Sequence, residues 1–105
     1  MVVYKVAEAK TGNFTSRTIR LPATNVNAVV TTTIGATPTV TVTLDGSMDN
    51  SNWVTGTGTA TVIITTAVST KLVRPAGEFY EFYRLNFTAN TNVTIAFAYI
   101  GGTEF

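Results

Sequence analysis

A chain of 105 residues with a formal net charge of +1 is long enough for one domain, and its seven cations are too scattered to form the basic footprint of a nucleic-acid binder. It contains no Cys and no His, which excludes Ser-His-Asp and Cys-His nucleophiles, thiolate or imidazole metal sites and disulfides. Thr (22), Val (13) and Ile (6) make up 41 of the residues, and these β-branched side chains fit a pleated sheet better than a helix. The expected fold is therefore all-β: one antiparallel β-sandwich over residues 1–105, jelly-roll or immunoglobulin-like, with eight or nine strands and essentially no helix.

Val2 to Ala9 reads as a first strand and Phe14 to Leu21 as a second, divided by the turn-forming Thr11-Gly12-Asn13. Pro22 ends the second, having no N–H to donate, and Val26 to Ile34 forms a third that Gly35-Ala36-Thr37-Pro38 closes. Thr39 to Leu44 alternates strictly, with Val40, Val42 and Leu44 on one face and three threonines on the other. One face is core and the other wet, which favours antiparallel pairing. Asp45 to Asn52 is a loop by composition, and Trp53-Val54-Thr55 a short strand. Thr59 to Val68 is a further strand, and Lys71 to Arg74 a short extended piece before Pro75-Ala76-Gly77. Phe79 to Phe87 carries aromatics on both parities, as expected of a strand covered on both sides over part of its length. The last strand, Asn92 to Ile100, places Val93, Ile95, Phe97 and Tyr99 on one face and Thr94, Ala96 and Ala98 on the other.

The acid–base groups left to the chain are six carboxylates (Glu8, Asp45, Asp49, Glu78, Glu81, Glu104), seven cations and the tyrosines. A carboxylate-pair hydrolase is formally possible, but no pair stands out, and the expectation is a protein that is not an enzyme, with no catalytic residues and no cofactor. No apolar block is long enough to span a bilayer, so no membrane partner is expected. Met1 to Val6 has none of the marks of a signal peptide, which suggests synthesis without Sec export.

Asp45, Ser47, Asp49 and Ser51 stand two apart, as oxygen ligands do in calcium loops, but Asn50 and Gly56 occupy the places where an EF-type loop needs Gly and a bidentate acid. A hairpin held by Asx-type hydrogen bonds accounts for the same spacing; no metal is assigned. Trp53, with Asp49 and Asn52 beside it, has two readings: an aromatic platform for a sugar ring, or a plug at one end of the sandwich. Phe79, Tyr80, Phe82 and Arg84 are candidate interface residues, as is Phe105 at the end of a tail that leaves the last strand through Gly101-Gly102. Arg84 is placed to lie over an aromatic ring or to pair with Glu81.

Gly46-Ser47-Met48-Asp49-Asn50-Ser51-Asn52-Trp53 after an alternating Thr/Val strand, then Tyr83-Arg84-Leu85, then Val93-Thr94-Ile95-Ala96, resembles a pattern of small virion proteins of tailed bacteriophages over roughly residues 34 to 100. That pattern usually has Gly where this chain has Asn50, a mild change because Asn tolerates a left-handed backbone. The resemblance implies a structural part of a virion, assembled in the host cytoplasm. The expected function is a capsid decoration or cement protein that stabilises the head by binding the major capsid protein or other virion proteins, and that forms a homo-oligomer. The alternative is a carbohydrate-binding module, or a tail, neck or fibre component, that recognises a glycan through Trp53.

Overall fold

A computed structural model describes residues 1–75 and 77–104. They form an antiparallel β-protein of eight strands: β1 (Val2–Thr11), β2 (Phe14–Thr15), β3 (Ile19–Arg20), β4 (Ala23–Ser47), β5 (Trp53–Val54), β6 (Thr61–Ile64), β7 (Ser69–Val73) and β8 (Phe82–Glu104). Among the described residues, the one helical segment is a single 3₁₀ turn at Gly58–Ala60.

Two long strands organise everything else. Fully extended, the 25 residues of β4 would reach roughly 80 Å, yet the longest dimension of the molecule is 42 Å. β4 therefore folds back on itself, and β8, paired with it almost throughout, folds with it. The fold line is where the register skips, from Ile34↔Val93 to Thr39↔Thr91. Thr37, Ala89 and Asn92 take left-handed backbone there (φ 49°, 51° and 54°). Asparagine side chains hold the spine together. Asn92 Nδ2 donates to the Ala36 carbonyl at 2.6 Å, and Asn90 Nδ2 donates to the carbonyls of Gly12 and Val93 at 3.0 Å.

The result is a sheet folded double. In the first layer β1, residues 93–104 of β8, residues 23–34 of β4 and β7 lie side by side; in the second, β2 and β3, residues 82–91 of β8, residues 39–47 of β4, and β6 with β5. The core fills the space between, with Val6, Ala28, Val30, Leu72, Ile95 and Ile100 from the first layer and Val40, Val42, Leu44, Ile64, Leu85 and Phe87 from the second. Burying each larger side chain is worth about 1.5–3 kcal/mol. Phe14 stacks on Phe87 with centroids 4.4 Å apart.

Several boundaries differ from those read in the sequence, each for an identifiable reason. The segments 26–34 and 39–44 are one strand, because Gly35 to Pro38 bends the ladder without ending it, and that strand runs on through Asp45, Gly46 and Ser47. The expected strand 14–21 is two short pairings. Between them Ser16 turns inward, its N–H donating to the Leu85 carbonyl and its Oγ accepting the Leu85 N–H, both at 2.8 Å. Strand 59–68 shrinks to Thr61–Ile64, and the strand expected from Phe79 begins at Phe82.

The last strand changes face midway. Val93 and Ile95 point inward, but so do Ala98 and Ile100, leaving Phe97 outward and 40% exposed, with Tyr99 half-buried beside it. Ile95 pairs with Thr32 and Phe97 with Thr31, so Ala96 is an extra residue against β4. Such a β-bulge reverses the side-chain alternation beyond it.

Candidate functional site

The loop between β4 and β5 is built from its own polar side chains. Asp49 Oδ1 accepts the backbone N–H groups of Ser51 and Asn52 at 2.9 and 2.8 Å, and Oδ2 accepts Asn52 Nδ2–H at 2.7 Å. Ser47 Oγ donates to the Asn52 carbonyl at 2.8 Å and accepts the Asn50 N–H at 3.0 Å. Asn50 adopts φ 62°, a left-handed conformation that Asn tolerates. The N–H groups of Asn52 and Ser51, followed by the Asn52 side chain, hold the Asp49 carboxyl well below the usual carboxylate range. This is the Asx-type hairpin. Asp45 takes no part in it: it is buried on β4 and its Oδ1 accepts the Gly56 N–H at 3.0 Å.

The loop delivers Trp53 onto the outer surface of the second layer, opposite Ser47 in the ladder. Phe82 pairs with Ser47 from the other side and Arg84 with Asp45, which brings Trp53, Phe82 and Arg84 together at one end of that surface. The guanidinium carbon of Arg84 lies 4.0 Å from the Trp53 ring centroid. Arg84 thus covers an aromatic ring, though one from the distant loop and not from its own strand, while Glu81 pairs with Arg20. Among the described residues no carboxylate comes within 4 Å of the Arg84 guanidinium, and its buried Nε has no hydrogen-bond partner. Thr43 Oγ1, on β4 two residue pairs further from the loop, is likewise buried and unpartnered. Thr43 stands in a hydrophilic row with Thr15, Asn86 and Thr61 across all four strands, with Thr15 Oγ1 donating to Asn86 Oδ1 at 3.3 Å.

For a sugar ligand this geometry offers less than the sequence suggested. One face of Trp53 is occupied by Arg84, and Asp49 and Asn52 are engaged with each other.

The segment before β8 closes the open end of the sandwich. Tyr80 lies over Gly46, where an added Cβ would fall 2.4 Å from the ring, so the sheet needs glycine at that position. Arg74, 4% exposed, donates from one nitrogen to the Leu44 carbonyl at 2.9 Å and from another to Glu78 Oε1 at 2.7 Å, and its guanidinium sits 4.7 Å from the Tyr80 ring centroid. Tyr83 is fully buried beneath, its hydroxyl accepting the Tyr80 N–H at 3.1 Å; burial pushes its phenol above the ordinary tyrosine value. Of the candidate interface residues, Tyr80 is thus a plug packed on the core, Phe79 is 48% exposed on the outside, Arg84 covers Trp53, and Phe82 lies across Ser47 from that ring. Phe105 lies outside the described residues.

A second surface escaped the sequence reading. On the outer face of the first layer, Val3, Val29 and Phe97 are 58%, 39% and 40% exposed, and Tyr99 stands between them. The alternation of the sequence puts Phe97 and Tyr99 on the face of Val93 and Ile95; the bulge at Ala96, which nothing in the sequence marks, turns them to the outer face. Val29 lies on the face opposite to that of Val30, which is fully buried.

No family model and no curated protein matches the sequence. A crystal structure of PirA is similar in fold, with a TM-score of 0.56 and 12% identity over 94% of this chain and 89% of that one. At that identity the likeness is one of fold alone, and it agrees with the all-β antiparallel architecture described above.

Proposed function

We propose that this chain is a non-enzymatic structural protein of a tailed-phage virion, a capsid decoration or cement subunit that stabilises the head by binding the major capsid lattice. The observation that carries the reading is that both broad faces of the sandwich bear contact groups. The first layer exposes Val3, Val29 and Phe97, and the second presents Phe82 with the Arg84–Trp53 stack. A subunit that fastens neighbours together needs two such surfaces, whereas a simple ligand-binding module needs one.

The Arg84 guanidinium, half-buried and without a carboxylate partner among the described residues, favours the second face as the lattice contact, because a partner's acceptors can bind its accessible donors. Weak contacts suffice when many copies bind one shell. The virion setting comes from the resemblance of Gly46 to Trp53, Tyr83 to Leu85 and Val93 to Ala96 to the phage pattern.

The test is co-sedimentation of the purified chain with heads that lack it. Saturable binding is expected, reduced at least about tenfold by Arg84→Glu, a change from a central Arg to a repelling charge. Wild-type chain that stays in the supernatant removes the decoration reading.

A further inference from the structure

The exposed face of the first layer carries both a knob and a hollow. Phe97 projects from β8, and four residues further along the same strand Gly101 borders a cavity of about 280 Å³ lined by Met1, Val3, Val29 and Tyr99 and by the polar Asn25, Asn27 and Lys71. Val3 leans over Gly101, so that a Cβ at Gly101 would lie 3.0 Å from Val3 Cγ2. Knob and hollow are about 13 Å apart along the strand, with Tyr99 midway.

We infer that two copies of this chain pack face to face through the outer surface of β1, β8, β4 and β7, each placing Phe97 in the hollow beside Val3 and Gly101 of the other. A two-fold axis crossing β8 at Tyr99 sets Phe97 opposite Gly101 twice over, and because Tyr99 pairs with Val29 in the ladder, the two Val29 side chains also meet near that axis. Aligned sheets pack in this way about 10 Å apart.

Size and charge agree with a second copy as the occupant. Four strands at about 4.8 Å spacing and up to ten residues long give on the order of 600 Å² per copy, near the roughly 800 Å² per partner of a standard interface. A net charge of +1 leaves little repulsion between whole molecules. Lys5 and Lys71 flank Tyr99 and Val29 on the two edge strands, in the same row. Lys5 is paired with Glu8 at 3.5 Å, so the charge left facing its own symmetry mate is that of Lys71, and added salt strengthens the pair by screening. An acidic partner on the same face would be weakened by salt.

The inference deepens the assembly role proposed above and rests on it only for its biological setting. Sedimentation equilibrium of the purified chain, from micromolar to millimolar concentration and at low and high NaCl, tests it. The expected result is a dimer that tightens with salt, and whose dissociation constant rises at least about tenfold in Phe97→Ser, with an unchanged circular dichroism spectrum. Val29→Thr, which keeps the β-branched shape, weakens the same dimer. A monomer at every concentration overturns the inference, as does a salt-weakened association or an oligomer that neither variant affects. A monomer that still coats heads would sink this inference and leave the decoration role standing; a dimer that ignores heads would do the reverse.

Discussion

Replacing Trp53 with Ala removes the indole that covers Arg84 while leaving the core untouched, and the size of the effect follows from where the ring lies. A fully buried Trp removes about 150–250 Å² from water. Trp53 is half-buried, so its truncation forfeits on the order of 100 Å², about 2.5 kcal/mol at 25 cal/mol/Å². The guanidinium stacked 4.0 Å above the ring adds about 1 kcal/mol as a partly desolvated cation–π contact. Together these give roughly 3–4 kcal/mol, a drop of about 15–25 °C in Tm for a chain of this size, which most domains survive at room temperature. Urea denaturation followed by circular dichroism, on Trp53→Ala, Arg84→Met and the double variant, isolates the contact: the coupling energy should be about 1 kcal/mol. A coupling indistinguishable from zero refutes the stack. Outright loss of folding in Trp53→Ala would place the indole in the core and refute the reasoning from the outer face.

Three further outcomes test the rest of the structure. Phe87→Ala, at a fully buried ring stacked on Phe14, should cost about 3–5 kcal/mol by the same denaturation assay. Gly46→Ala should destabilise by about 1–3 kcal/mol by forcing Tyr80 off the sheet end, visible as increased proteolysis within residues 75–81. Asp49→Asn should lower the urea midpoint at neutral pH. Because the carboxyl titrates lower in the folded protein, its stabilisation is complete above the unfolded value of about 3.9 and fades as pH falls below it. The gap between wild type and variant should therefore close at acid pH, and a gap independent of pH contradicts the hydrogen-bond account of this loop.

What could be read in advance divides along physical lines. The Thr39–Leu44 ladder was legible because Val40, Val42 and Leu44 are fully buried while the threonines between them lie half-buried on the outer face. The Asp49 hairpin was legible because Asx turns are local. Continuity of β4 through residues 35–38 was not, since Gly and Pro ordinarily end a strand; here the ladder survives because β8 bends at the matching place, a partner 52 to 59 residues away. The bulge at Ala96 bears no glycine or proline, so the alternation puts Phe97 and Tyr99 on the face of Val93 and Ile95. Arg84 meets Trp53 only through the register of β4 with β8 and β5. Its reach to an aromatic ring could be anticipated from chemistry, but which ring depends on pairing that no local pattern encodes.

Quantitative mass spectrometry of purified particles of the virus that encodes this chain, giving its copy number against the major shell protein, tests the central claim most directly. The account predicts a chain present at hundreds of copies per head. A few copies per particle would move it to the neck, tail or fibre, and its absence from the particle would contradict the virion role altogether.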